Sequence, residues 1–94
     1  MSKFILSGHI IVPKSDLKAV REKLPEHIEK TRAEKGCLFF SVVEVSAKPG
    51  QFDVYEEFKN KAAFELHQAR VQSSEWGQVS RNIKRYYKIN KTDR

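Results

Sequence analysis

The sequence predicts an α+β domain of the ferredoxin-like kind, with the order β-α-β-β-α-β and an antiparallel sheet. Two observations lead to this fold class. Four segments are rich in β-branched and aromatic residues, and apolar residues at helical spacing lie between them. With 94 residues the chain is expected to be one domain over 1–94, because chains divide only at about twice this length. We expect an ordered core over about 3–90 and a basic tail over 91–94.

The first strand and the first helix are predicted from the segments on either side of Pro13. Residues 3–12, KFILSGHIIV, favour a strand that ends at this proline. Ser15 or Asp16 can then cap a helix. The apolar positions of that helix have spacings of three, four and four: Leu17, Val20, Leu24 and Ile28.

Proline and glycine mark the next boundaries. Pro25 lacks a backbone N–H, which predicts a kink or a break near Leu24. Gly36 is expected to end the helix as a left-handed cap. CLFFSVVEV, residues 37–45, is the second strand, and the Pro-Gly pair of SAKPGQ supplies the turn that follows.

The second half of the chain repeats the alternation of strand and helix. FDVYEEF is a third strand, in which side chains alternate between the two faces. One face carries Phe52, Val54, Glu56 and Phe58. The other face carries Asp53, Tyr55 and Glu57. Asn60 can cap a second helix that carries His67, and Ser74 can cap a short third helix that carries Trp76. RYYKIN, residues 85–90, closes the sheet.

Both faces of the second strand are apolar, since Phe39 and Val43 alternate with Phe40 and Val42. The helices can cover only one face of the sheet, so a second copy of the chain is the simplest cover for the other, which predicts a homodimer. RNA is the alternative cover. KGCLFF matches three positions of an RNA-recognition signature, but it opens the second strand rather than the third, and the first strand has no central aromatic. We therefore expect no nucleic-acid partner.

Composition excludes several other classes. One cysteine excludes an intrachain disulfide framework, and three scattered histidines give little support to a zinc site. No stretch approaches the roughly 18 apolar residues of a membrane span, and the N-terminus lacks a signal-peptide core. A cytoplasmic protein without a membrane partner is expected. We expect the basic residues that give the net charge of +6 to form a solvated surface rather than a binding site.

Three segments in order, AEKGCLFF, FDVYEEF and AAFELHQARVQSSEWG, resemble the antibiotic biosynthesis monooxygenase family. The matching residues are Glu34, Gly36 and Cys37, then Tyr55 and Glu56, then Ala63 and His67. Trp76 is similar to a residue of the subfamily labelled quinol monooxygenases. The resemblance extends from the first strand to RYYKIN.

The resemblance implies a dimeric α+β barrel with a pocket in each subunit between sheet and helices. It also implies oxidation of phenolic or quinol-like compounds by dioxygen, with no metal, flavin or haem cofactor. Other branches of the family degrade haem or isomerise a small sugar derivative. The haem-degrading pattern needs an Asn on the first strand and a Trp before the histidine, and this sequence has neither.

The candidate site residues follow from these patterns and from the resemblance. His67 is the candidate base or substrate orienter, and Glu56 is its partner or an ion-pair partner of Arg70; a structural role is the alternative for each. The candidate substrate contacts are Trp76, Tyr55, His9, Arg32, Phe40 and Phe64. His27 is expected either at the pocket rim or in solvent.

Two other functions remain open on the same fold. One is a small-molecule-binding dimer without catalysis. The other is an isomerase of a small phosphorylated carbonyl compound, in which Arg32 and the basic excess would hold the phosphate. A closed pocket that contains His67 favours catalysis.

Overall fold

The structure is a computed structural model that describes residues 2–93. Its strands are β1 (Ser2–Ile11), β2 (Cys37–Glu44), β3 (Gln51–Phe58) and β4 (Lys84–Asp93). Its helices are α1 (Leu17–Arg32), α2 (Lys61–Gln72) and α3 (Glu75–Val79), and a 3-10 turn (Lys14–Asp16) precedes α1. The predicted ferredoxin-like order is confirmed.

The four strands form one antiparallel sheet in the order β2-β3-β1-β4. Its even-numbered positions in β1, β2 and β3 face the helices and supply most of the core: Phe4, Leu6, Ile10, Phe40, Val42, Phe52, Val54 and Phe58. Phe39 and Val43 are exposed on the other face, at 52% and 60%. The predicted two-sided second strand is therefore confirmed, and its second face is open in the single chain.

The expectation near Leu24 was a kink or a break, and the break is wrong because helix α1 continues through Pro25. A proline fits a helical φ angle, and one missing N–H is offset by the packing of the surrounding turns, in which Val20 and Leu24 are buried.

The expected left-handed cap at Gly36 is also wrong, since among the described residues only Gly8 and Gly50 have a positive φ. Helix α1 ends at Ala33 instead, and two successive turns follow. A Cβ on Gly36 would lie 2.3 Å from the Cβ of Ala63. Gly36 is therefore explained by the close approach of α2 and not by its backbone angle.

The predicted caps of the later helices are confirmed. Asn60 Oδ1 accepts a hydrogen bond from Ala63 N at 2.8 Å, and Ser74 Oγ accepts one from Gly77 N at 3.1 Å. Strand β4 is longer than RYYKIN at both ends, so residues 91–93 of the expected tail belong to it. Arg94, the last residue of that tail, lies outside the described residues. No helix within residues 2–93 is long and apolar enough to cross a membrane.

Candidate active site

A partly enclosed cavity lies between the sheet and the helices. Its volume is about 70 Å³, measured as the space that the centre of a water molecule can occupy. All three α-helices and the sheet contribute to its wall, which includes His27, Phe40, Glu56, Phe64, His67 and Trp76. Five of the predicted site residues thus meet at one place: His67, Glu56, Trp76, Phe40 and Phe64.

His67 is held at this wall by Glu34. Its side chain is 4% exposed, and its Nδ1 lies 3.0 Å from Glu34 Oε1. Arg70 Nε donates to the other oxygen of the same carboxylate, and Arg70 Nη2 donates to Thr31 Oγ1 at 3.0 Å. The partner of both His67 and Arg70 is therefore Glu34, and the predicted pairing of either residue with Glu56 is wrong.

The surroundings of His67 favour its neutral form. Burial lowers the pKa of His67, and the nearby charge of Arg70 acts in the same direction, against the raising effect of Glu34. An ionised carboxylate can only accept hydrogen bonds, so Nδ1 carries the proton that it donates to Glu34. The lone pair of the neutral ring is then on Nε2.

His27 was expected at the pocket rim or in solvent, and it is instead buried in the cavity wall, at 6% exposed. Its ring stacks on Trp76 with centroids 4.6 Å apart and meets Phe40 edge-on at 5.4 Å. Burial lowers the pKa of His27 to about 3, helped by the charges of His67 and Arg70. Its Nδ1 has no hydrogen-bond partner within the described chain.

Glu56 is the buried carboxyl group of the cavity. It is 7% exposed, as strand parity predicts, and its Oε1 has no hydrogen-bond partner among residues 2–93. Burial raises the pKa of Glu56 to about 7, and the charge of Glu34 adds to this, against Arg85. Burial and the charge of Glu56 raise the pKa of the neighbouring Tyr87 to about 12. Near neutral pH the site therefore contains a carboxyl group that is part acid and part carboxylate.

The other predicted contacts do not reach the cavity. Tyr55 donates to Glu57 on the outer face of the sheet. His9 stacks on Tyr86 at 4.9 Å, also away from the helices. Arg32 donates to the backbone carbonyl oxygen of Phe40 from Nε at 3.1 Å and from Nη2 at 2.9 Å.

Sequence reasoning gave no site role to Glu34, Arg85 and Tyr87, and it gave Arg70 the wrong partner. The sequence pattern gave an indication for two of these residues. Glu34 is part of the Glu-x-Gly-Cys segment, and Arg70 lies three residues after His67 on the same helix face. No three His, Cys, Asp or Glu side chains of the described chain are grouped as metal ligands would be.

The fold and the site define the class of this protein, a ferredoxin-like α+β domain with a partly enclosed pocket under its helices. The family model for antibiotic biosynthesis monooxygenase matches residues 4–79. The chain belongs to this family. No curated protein matches its sequence.

Solved structures show the same fold. One named as an antibiotic biosynthesis monooxygenase is 22% identical, with a TM-score of 0.68 and coverage of 100% of this chain and 98% of that chain. A Nitrosomonas europaea protein whose name gives the same family is 17% identical, with a TM-score of 0.70 and coverage of 99% and 97%. A conserved protein from Methanosarcina mazei Go1 is 18% identical, with a TM-score of 0.67 and coverage of 98% and 91%. At these identities the likeness shows the fold alone.

Proposed function

We propose that this chain is a monooxygenase that oxidises a quinol-like or phenolic aromatic with dioxygen, without metal or flavin. The observation that carries the proposal is a buried imidazole, His67, oriented by the Glu34 carboxylate at the wall of a partly enclosed cavity. Membership of the family supports oxygen chemistry at this site.

His67 has the properties of a general base for such a substrate. A phenolate gives an electron to dioxygen far more readily than a phenol does, so the reaction begins with loss of the phenolic proton. Nε2 of the neutral ring accepts that proton, and the Glu34 carboxylate stabilises the imidazolium that forms. The burial of His67, which is 4% exposed, strengthens these interactions.

The substrate itself supplies the electrons of the reaction. When a benzenediol reacts, one oxygen atom of O2 forms a bond to a ring carbon, and the other leaves as water. The product is a hydroxyquinone, so the ring loses four electrons and dioxygen gains four. No separate reductant is consumed.

Glu34 also gives the abstracted proton a route to solvent. His67 lines both the inner cavity and a cleft on the protein surface, and Glu34 and Arg70 line that outer cleft as well. The Glu34 side chain is 20% exposed, so a proton passed along the His67–Glu34 hydrogen bond reaches water without crossing the substrate.

Oxygen uptake in chelator-treated buffer, across a panel of hydroquinones, phenols and anthrones, tests the proposal. Wild type should consume oxygen above the buffer rate on at least one compound. His67→Ala should lower that rate by about 10²–10⁴-fold, the usual contribution of a general base. Glu65→Ala, on the exposed side of the same helix, is the matched control and should keep the wild-type rate. Equal rates in wild type and His67→Ala would contradict the assignment of His67 as the base.

We also propose that two copies of the chain form a homodimer through the open face of the sheet. Phe39, Val43 and Tyr86 support this, since each is more than half exposed on that face. Exposed apolar groups of this size on one surface are typical of an interface between proteins. A chain that sediments as a monomer at micromolar concentration would contradict the proposal.

A further inference from the structure

We infer that Arg70 is a positioning residue for His67: it holds the Glu34 carboxylate against the imidazole and so decides which ring nitrogen faces the cavity. The inference deepens the proposed function, and it rests on that function only for its effect on turnover. Arg70 lines the outer cleft and not the inner cavity, so it acts through Glu34. Three features support the inference: the two anchors of the guanidinium, the direction of the His67 ring, and the charge of Arg70.

The guanidinium of Arg70 is held at two points. Its Nε donates to Glu34 Oε2, and its Nη2 donates to Thr31 Oγ1 at 3.0 Å. Thr31 is fully buried in the last turn of α1, whereas the Arg70 side chain is 31% exposed. A partly exposed ion pair alone contributes little, because two mobile side chains must be ordered to form it. The buried Thr31 hydroxyl is a fixed anchor, and the planar guanidinium transmits its fixed position to the carboxylate.

The held carboxylate sets the direction of the His67 ring. Arg70 engages one oxygen of Glu34, and the other oxygen, Oε1, lies 3.0 Å from His67 Nδ1. Glu34 lines the outer cleft and not the inner cavity, so Nδ1 points outwards and Nε2 is left for the cavity. Without Arg70 the carboxylate, whose side chain is 20% exposed, is free to turn into water. The ring would then lose the acceptor that fixes its tautomer.

Arg70 also helps to keep the ring in its neutral, basic form. Burial lowers the pKa of His67, and the positive charge of Arg70 acts in the same direction. Other titratable or charged groups line the two spaces on either side of the ring: His27, Glu56, Arg85, Tyr87, Lys35 and Lys59. A substitution of Arg70 leaves all of them in place, so a difference between that variant and wild type reports on Arg70.

NMR of the imidazole nitrogens tests the inference without substrate or turnover. The chain has three histidines, and the His67 signals are those lost in His67→Gln. Wild type should contain His67 as the Nδ1–H tautomer, and this proton should exchange slowly with water. Arg70→Gln should give a mixture of both tautomers. It should also speed the exchange by about tenfold or more, as the loss of one hydrogen bond to a charged group would give.

Two matched comparisons separate positioning from a general loss of structure. Thr31→Val removes the hydroxyl anchor from a side chain of the same shape and should move His67 towards the mixture of tautomers, whereas Thr31→Ser should keep the wild-type tautomer. Arg21→Gln breaks a different arginine–carboxylate pair, with Glu44, and should leave His67 unchanged. If Arg70→Gln fails to fold, the Thr31 pair still decides.

Activity gives a second and independent measurement. On a compound that wild type oxidises, Arg70→Gln should lower kcat by about tenfold or more and change KM by less than about twofold, because Arg70 acts on the base and not on the bound substrate.

The wild-type tautomer retained in both Arg70→Gln and Thr31→Val would overturn the inference, and so would an Nε2–H tautomer of His67 in wild type. A changed tautomer in these variants with no oxygen uptake by wild type would uphold this inference and contradict the monooxygenase proposal. Oxygen uptake by wild type with an unchanged tautomer in the variants would do the reverse.

Discussion

Glu56 and Glu57 are neighbours on β3, and the two faces of the sheet give them opposite properties. Glu56 faces the helices, lacks a partner at Oε1, and has its pKa raised to about 7 by burial. Glu57 faces outward, where Tyr55 donates a hydrogen bond to it and lowers its pKa. Side chains alternate between faces along a strand, so a shift of one residue separates a surface carboxylate from a buried acid.

Phe39 and Phe40, on the neighbouring strand β2, show the same contrast between the two faces of the sheet. Phe40 is 2% exposed and lines the cavity, whereas Phe39 is 52% exposed and contacts Tyr55 on the outer face. The helix-covered face thus combines tight packing with unpartnered polar atoms. The open face combines paired polar groups with exposed apolar ones, and this difference separates the candidate site from the proposed dimer surface.

The largest expected difference between the faces is in packing. Phe40→Ala should lower the free energy of unfolding by about 3–5 kcal/mol, because it empties a filled part of the core. Phe39→Ala should lower it by less than about 1 kcal/mol, since that ring keeps much of its water contact. Urea unfolding of both variants at one fixed protein concentration measures the contrast. Similar losses for the two would mean that the outer face is as well packed as the inner one.

The next difference is in the pH dependence of stability. Between pH 4.5 and 7 the folded chain keeps a proton on Glu56 that the unfolded chain has released, so the contribution of Glu56 to stability should fall as pH rises, by about 3 kcal/mol. The lowered pKa of Glu57 has the opposite sign: its contribution is present above pH 4.5 and is lost as pH falls through its folded pKa. His27 and His67, whose pKa values are lowered, also oppose Glu56, since their contributions are lost as pH falls below 6.5.

Comparison of variants separates these overlapping contributions. Glu56→Gln should remove the contribution of Glu56, so the stability of this variant relative to wild type should be about 3 kcal/mol higher at pH 7.5 than at pH 5. Glu57→Gln should show no such change relative to wild type over this range. Urea unfolding at the two pH values gives both results, and the same pH dependence in wild type and Glu56→Gln would mean that Glu56 has no raised pKa in the folded state.

A substitution on the open face should have the smallest effect on the stability of the single chain and the largest effect on the proposed dimer. Phe39→Glu should leave the free energy of unfolding of the single chain within about 1 kcal/mol, yet weaken the proposed dimer tenfold or more, because the interface would bury a charge. Leu66→Glu is the matched control, since Leu66 is 73% exposed but lies on α2. Sedimentation equilibrium should separate the two variants. A dimer that survives Phe39→Glu unchanged would place the interface elsewhere.

Most of the fold could be predicted from the sequence because its signals are local. Strand parity placed Glu56 on the buried face, and the caps at Asn60 and Ser74 were read from short side chains just before apolar helical patterns. At Pro25 and Gly36 tertiary contacts override a local preference. The buried residues Val20 and Leu24 keep α1 continuous around the exposed Pro25, and the close approach of Ala63 requires a glycine at position 36.

The partners within the site could not be predicted in the same way. Glu34 and His67 are 33 positions apart and lie on a turn and a helix that have no pairing register between them. The periodicity of the sequence does not give the rotation of α2 about its own axis over the sheet. That rotation decides whether Arg70 meets Glu34 or Glu56. The burial of His27 has the same cause, since it depends on where α3 places the Trp76 ring.

Strand β2 lies at an edge of the sheet, and Arg32 covers part of that edge. Its two hydrogen bonds occupy the carbonyl oxygen of Phe40. Unoccupied backbone groups on an edge strand are a template on which strands of other chains can add and aggregate. Arg32 was expected to hold a phosphate, and it instead places a charged group on this edge. An incoming strand would have to displace its guanidinium group. One arginine thus hinders the addition of a foreign strand at this point of the rim of the sheet.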